Sequence, residues 1–364
     1  MQQIYGAAAS DGPTADHPST GASSAPSPGA SSPTTTEAPT REVPSGASVP
    51  ETRRVSALKW QNGIQVYLHE VAATREPDHT VGILDYVVSL GANSIGLSFP
   101  IYTDGARPTR VEGGAETPSP QRVKGIVEQA HERGLRVMLR PIIDEKNIAA
   151  TKGEWRGSIR PVDTAAWFDS YADTISAYFG TDADEFVLAA ELTSLKDEAR
   201  EWAKLEARAR KGFPGQLSYA FNWDAGLVKA SHIDVFGLDL YFPIKLGDDA
   251  TVAQLADGLR RAIEGQPAEV RERLVVQEVG IPALSGMYEI PWDWGSQGRV
   301  IKEEIQGNWF AAACQAVHEV EGRGIYYWML DSNVDPLTVQ PASQPAGSFI
   351  GRLGERSIKA CFAR

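Results

Sequence analysis

The chain has 364 residues, 42% hydrophobic and 23% charged, with a formal net charge of −12 and a pI of about 5.1. That length accommodates one large domain or two ordinary ones. The acidic balance and the lack of a basic stripe argue against a nucleic-acid partner, and no run of about 18 apolar residues is present to span a membrane.

Residues 1–54 differ from the rest. From Ala7 to Pro50 the chain is almost wholly Ala, Gly, Pro, Ser and Thr, and no Ile, Leu, Met, Phe, Tyr or Trp occurs between Gly6 and Ala57. Such a segment buries too little apolar area to offset its ordering entropy, and it reads as a disordered linker of the kind found on extracellular stalks. The start, "MQQIYGAAAS", has neither a basic n-region nor an apolar h-region. The chain is read either as a processed or truncated form of an exported protein tethered through this linker, the favoured reading, or as one that carries an ordinary disordered extension.

Residues 55–364 alternate short apolar runs with longer amphipathic ones. Strands are expected at 64–69, 94–102, 135–144, 185–192, 216–223, 234–243, 273–282 and 324–331. Helix-like stretches fall between them, among them 80–91, 119–134 and 164–180. The second carries Ser119 and Pro120 as N-cap and first-turn residues and stops at Gly134. Buried strands alternating with helices indicate parallel βαβ units, and eight of them suggest a (β/α)8 barrel (TIM barrel). An open doubly wound sheet would carry a Gly-rich phosphate turn after its first strand, and "VYLHEVAATREP" has none. The two cysteines, Cys314 and Cys361, form no zinc-type spacing. One disulfide and two separately buried thiols both fit.

In such a barrel the active site lies at the C-terminal ends of the strands. Those ends carry His69, Tyr102, Arg140, Asp144, Glu191, Asn222, Trp223, Asp239, Tyr241, Glu278, Trp328 and Asp331. Carboxylates, rings and hydrogen-bonding groups on one rim suit a polyhydroxylated ligand, whose apolar faces stack while its hydroxyls find polar partners. Glu191 in "LAAELTS" and Glu278 in "VVQEVGI" each follow a strongly apolar segment, at strands four and seven. Glycoside hydrolysis needs two such carboxyls, about 5–5.5 Å apart in a retaining enzyme. The bland alternative is that each closes a strand and pairs with a nearby Arg.

The segments "HERGLRVMLRP", "LSYAFNWD", "IDVFGLDLYFP", "VQEVGIP", "IQGNWFAAACQAV" and "GIYYWMLD" together resemble glycoside hydrolase family 113, a β-mannanase family within the large clan of retaining (β/α)8 glycosidases. The resemblance implies that Glu278 is the nucleophile and Glu191 the acid/base. It further implies that Tyr241 donates a hydrogen bond to the nucleophile and Trp328 forms a sugar platform. Asn222, Trp223 and Asp239 would line the subsites. Two positions depart from the clan's pattern: Ala190 stands where an Asn often precedes the acid/base, and Ile142 where a polar subsite residue is common. Trp155, in the connection after strand three, and Trp292 and Trp294, after strand seven, are candidates for sugar stacking from loops.

No cofactor or metal is called for: strand one ends "YLHE" with the single His69, and no strand interior carries a Lys for Schiff-base chemistry. The expected partner is a polysaccharide or oligosaccharide, β-1,4-mannan or glucomannan by family default, hydrolysed by a monomer. Another cell-envelope glycan is the next reading, and a non-catalytic carbohydrate-binding barrel the third.

Overall fold

A computed structural model of the protein describes residues 59–70, 79–228, 233–295 and 298–364. The linker reading of residues 1–54 lies outside the described residues. Among the described residues nine strands form: β1 (Gln61–Tyr67), β2 (Ser94–Thr103), β3 (Val111–Glu112), β4 (Arg136–Ile143), β5 (Glu185–Ala190), β6 (Gln216–Asn222), β7 (Val235–Asp239), β8 (Leu274–Val279) and β9 (Gly324–Asp331). Their order is β1-β9-β8-β7-β6-β5-β4-β2-β3, and β1 also pairs with β2. Eight parallel strands thereby close a barrel, while β3 is a short antiparallel flap on β2. All eight expected strands are present, so β4, β5, β8 and β9 are barrel strands three, four, seven and eight.

Around the barrel lie α1 (Thr80–Ser89), α2 (Pro120–Glu132), α3 (Thr164–Ser176), α4 (Ala199–Gly212), α5 (Val252–Glu264), α6 (Ala268–Arg271), α7 (Glu303–Glu319) and α8 (Leu353–Phe362). The expected caps form. Ser119 accepts from the Arg122 backbone N–H at the start of α2, with Pro120 in the first turn. Among the described residues no helix is long and apolar enough to cross a membrane.

The strand period divides the core. On β4, Val137, Leu139 and Ile143 join the large apolar layer under the helices. Arg136, Met138, Arg140 and Ile142 alternate with them, as a two-residue repeat requires, and Met138 and Ile142 belong to a second, smaller cluster that also holds Val187, Val275, Tyr326 and Trp328. That interior is layered. Towards the strand starts Glu185 accepts from Arg136 (2.9 Å) and from Gln277 (2.6 Å), and Gln277 also reaches Ser218 (3.0 Å). A Cβ at Gly237 would overlap the Gln277 side chain, so glycine makes room for this buried polar plug.

Two irregularities matter more than the regular part. Between β5 and β6 the register runs Val187↔Ser218 and then Ala190↔Ala220. Between β7 and β8 it runs Leu238↔Val276 and then Asp239↔Glu278. Each of β5 and β8 thus holds one extra residue near its C-terminal end, a bulge that switches the following side chains to the other face. Without it Glu278 would share the outward face of Leu274 and Val276.

Cys314 on α7 and Cys361 on α8 are joined by a disulfide, with Cα atoms 5.9 Å apart, which settles the alternative left open by the sequence. Their sulfurs and His318 form a group of metal-ligand type, but the sulfurs are committed to each other. The bridge closes a loop with a sequence separation of 47. Reduction, or joint Cys314→Ala and Cys361→Ala substitution, is expected to lower unfolding free energy by about 2–4 kcal/mol. Chemical denaturation with and without reductant measures this, and an unmoved midpoint would remove the bridge from the stability account.

Candidate active site

Glu278 is placed in the mouth of the barrel by the β8 bulge, and both of its carboxylate oxygens are engaged. Oε2 accepts from Arg140 Nη1 at 2.6 Å, and Oε1 accepts from the Tyr241 hydroxyl at 2.5 Å. Arg140, fully buried on β4, spends its other terminal nitrogen on Asp239 Oδ2 at 2.5 Å. The Tyr241 hydroxyl is held well above the usual phenol range, first by burial and then by the negative charge of Glu278, so it remains a neutral donor. Donors on both sides, one of them a guanidinium, fix the orientation of the Glu278 carboxyl.

Glu191 sits differently. β5 ends at Ala190, and Glu191 itself adopts a left-handed backbone with φ of 56°. A non-glycine residue there is strained, and its backbone is clamped on both sides: its N–H donates to Ala220 O and its C=O accepts from Thr193 N, both at 2.8 Å. Only one side-chain oxygen is engaged, with Arg156 Nη1 donating to Oε2 at 2.7 Å. Oε1 is buried and has no hydrogen-bond partner among the described residues. Burial raises the Glu191 pKa above the ordinary carboxylate value; Arg156 pulls it down in part, and the negative charge of Glu278 pushes it up again. The two glutamates feel each other's charge. Both strand-end glutamates thus do pair with an Arg, as the bland alternative has it, yet the pairings are unequal.

Asp239, fully buried, also has a pKa raised well above the usual range by burial, despite Arg140, with Glu278 and Glu191 adding to the effect. Its Oδ1 and the Oδ1 of Asn222 are buried acceptors without partners among the described residues. A group that brings hydroxyl donors would satisfy them.

Beside this cluster lies a cleft of about 140 Å³ lined by Trp155, Asn222, Trp223, Asp224, Tyr241 and Trp292. Trp223 and Trp292 stack with centroids 6.3 Å apart and planes at 23°. A larger hollow of about 520 Å³ shares Trp223 but is otherwise walled by residues 242–246 and α5, and none of the carboxylates lines it. The smaller cleft is the one that adjoins the chemistry, through Tyr241.

Trp328 is nearly buried at the end of the barrel interior, where the Trp328–Met329 peptide is cis. Its ring meets Tyr67 edge-on at 6.1 Å, and the Arg140 guanidinium lies 5.7 Å from its centroid. Trp294 stands against the ring of Tyr241 at 6.4 Å, and a Cβ at Gly280 would press on it at 3.0 Å; its surroundings are those of a residue that backs Tyr241. Tyr102 lies apart from the paired glutamates. Its ring packs on Gly114, and its hydroxyl pKa is raised by burial and by Asp144 and Glu116. His69 contacts Glu116 at 3.1 Å, and its other ring nitrogen is 3.6 Å from Asp331.

The two departures from the clan pattern have a packing explanation. Ala190 and Ile142 both point into the apolar part of the barrel interior. Sequence reasoning missed Arg156, which holds Glu191, and Glu145, which shares that guanidinium at 3.3 Å. Arg156 follows Trp155 in "GEWRGSIRP", and nothing in that segment marks the cation as the partner of a glutamate 35 positions away.

Comparison with solved structures places this architecture. A GH113 β-1,4-mannanase complex matches with a TM-score of 0.67 at 19% identity, covering 84% of this chain and 99% of that one. The β-mannanase AaManA from Alicyclobacillus acidocaldarius, in complex with ManMIm, matches at 0.67 and 22%, covering 85% and 99%. An endo-β-1,4-mannanase from Thermotoga petrophila matches more distantly, at 0.52 and 12%, covering 85% and 78%. At such identities the likeness is one of fold. A sequence comparison with curated proteins finds no match. The sequence profile of Glycoside Hydrolase Family 113, however, matches residues 71–342, most of the chain. The chain belongs to glycoside hydrolase family 113.

Proposed function

We propose that this glycoside hydrolase cleaves a β-1,4-mannan or glucomannan with retention of configuration, Glu278 acting as nucleophile and Glu191 as acid/base. The observation that carries the reading is the inequality of the two carboxyls. Glu278 has both oxygens bonded to donors and is fixed in orientation. Glu191 is buried, has a raised pKa and keeps one oxygen unpartnered, as a proton donor requires. β-Mannan as substrate rests on the activities named for the matching folds.

In the first step Glu278 attacks the anomeric carbon while Glu191 protonates the departing glycosidic oxygen, giving a covalent glycosyl-enzyme. In the second, Glu191, now ionised, takes a proton from water as it attacks the same carbon, and Glu278 is released. Arg140 and Tyr241 keep Glu278 oriented throughout. Trp155, Trp223 and Trp292 offer ring faces to sugar, while Asn222 and Asp239 offer acceptors to hydroxyls. Trp328 is the platform beneath the reacting ring. Export belongs to the same proposal and draws support from the Cys314–Cys361 disulfide, a bond that persists in oxidising compartments. Action as a monomer also remains part of the proposal.

Glu278→Gln is expected to lower kcat/KM on soluble mannan by at least about a thousandfold. Glu191→Gln should lose about 10²–10⁴-fold on mannan and far less on a dinitrophenyl mannoside, whose leaving group needs no proton. Equal losses on both substrates would contradict the acid role. Tyr241→Phe removes one bond to a charged acceptor and is expected to reduce kcat/KM by roughly ten- to a hundredfold. NMR of the first product anomer tests retention, since initial release of the inverted anomer excludes double displacement.

A further inference from the structure

Arg156 lies in the connection after β4, outside the set of strand-end residues that the chemistry uses directly. Its guanidinium is anchored at three points. Nη1 donates to Glu191 Oε2 at 2.7 Å, Nη2 lies 3.3 Å from Glu145 Oε1, and Nε donates to the Ile143 carbonyl at 3.0 Å. Its side chain is only 12% exposed. A guanidinium donates and never accepts, so the oxygen that it bonds cannot carry the proton of a carboxylic acid towards it. Glu191 Oε1, buried and without a partner, is the oxygen that remains.

We propose that Arg156 is a positioning residue for the acid step: by occupying Oε2 of Glu191 it confines the transferable proton to Oε1 and sets the pH above which that proton is lost. The inference rests on the reading of Glu191 as acid/base. Several other charged or titratable groups act on the same carboxyl or feel its charge. They are Glu278 on β8, Arg140 on β4, Asp239 at the end of β7, Tyr241 beyond it and Tyr219 on β6. Arg156 is the cation in direct contact, and Glu145 tempers it by sharing its charge.

The sign follows. Activity needs Glu191 protonated, so kcat/KM falls as pH rises through its pKa, and kcat/KM reports the free enzyme. A neighbouring cation favours the ionised form, so removing it moves the alkaline limb upward. Arg156→Gln is expected to shift that limb by about one pH unit or more. It should also lower kcat/KM on a β-1,4-linked mannan oligosaccharide at least tenfold more than on a dinitrophenyl mannoside. Arg156→Lys, which keeps the charge, should return the limb towards its original position. Glu145→Gln leaves the guanidinium more fully to Glu191 and should move the limb downward, in a variant that does not disturb the Arg156 contact itself.

Limbs that stay in place in Arg156→Gln and Glu145→Gln overturn the proposal, even if activity falls. So does a loss in Arg156→Gln that is equal on both substrates. Glu191→Gln separates this failure from a deeper one. If it abolishes the alkaline limb while the Arg156 and Glu145 variants leave that limb unmoved, only the role of Arg156 is wrong. If the limb survives in Glu191→Gln, the acid/base assignment falls and the inference with it.

Discussion

The site is organised by one buried cation. Arg140, sealed inside the barrel, is the common partner of Glu278 and Asp239, and its ring neighbour Trp328 excludes water from one side. Burying a guanidinium is unfavourable unless its partners are close and well oriented, and breaking such a group by removing one member leaves an uncompensated charge. Burial would by itself depress the Arg140 pKa, but the negative charges of Asp239 and Glu278 more than offset it and hold the residue charged. A fixed cation therefore dictates a fixed anion, and Tyr241 supplies the second contact that aims it.

Charge balance then bears on the other buried carboxyls. Glu191, Glu278 and Asp239 form a group of three buried carboxyls faced by the two guanidinia of Arg140 and Arg156, the latter shared with Glu145. With more acids than cations in a poorly solvated site, full ionisation is unfavourable, and both Glu191 and Asp239 have raised pKa values. The same fact bears on stability. A carboxyl whose folded pKa is raised contributes most below the ordinary carboxylate range, and that contribution is lost as pH rises through the folded value. The raised pKa values of these carboxyls thus come at some expense to the fold above the ordinary carboxylate range.

Much of the architecture was legible because the barrel repeats one simple unit. Short runs such as "LRVMLRPIID", set between amphipathic stretches, read as strands buried on both faces, and Ser119–Pro120 marks a helix start. The locations of Glu191 and Glu278 at strand ends were equally plain. Their orientation was not. Strict alternation sends Glu278 outward with Val276, and only the extra residue in β8 turns it in; a bulge leaves no mark on composition or periodicity. Arg156 escaped notice for a related reason: its partner is 35 positions away, and contacts across a barrel mouth depend on loop geometry. The disulfide was undecidable until α7 and α8 were seen to lie side by side.

The central claim is that Glu278, oriented by Arg140 and Tyr241, becomes covalently bonded to the sugar. It is tested most directly by trapping that bond with a 2-deoxy-2-fluoro-mannosyl fluoride, whose leaving group needs no acid, and locating the label by peptide mass spectrometry. The account predicts one fluorosugar esterified to Glu278, formed also in Glu191→Gln. A label on any other residue, or active enzyme that never forms the adduct while hydrolysing mannan, would contradict it.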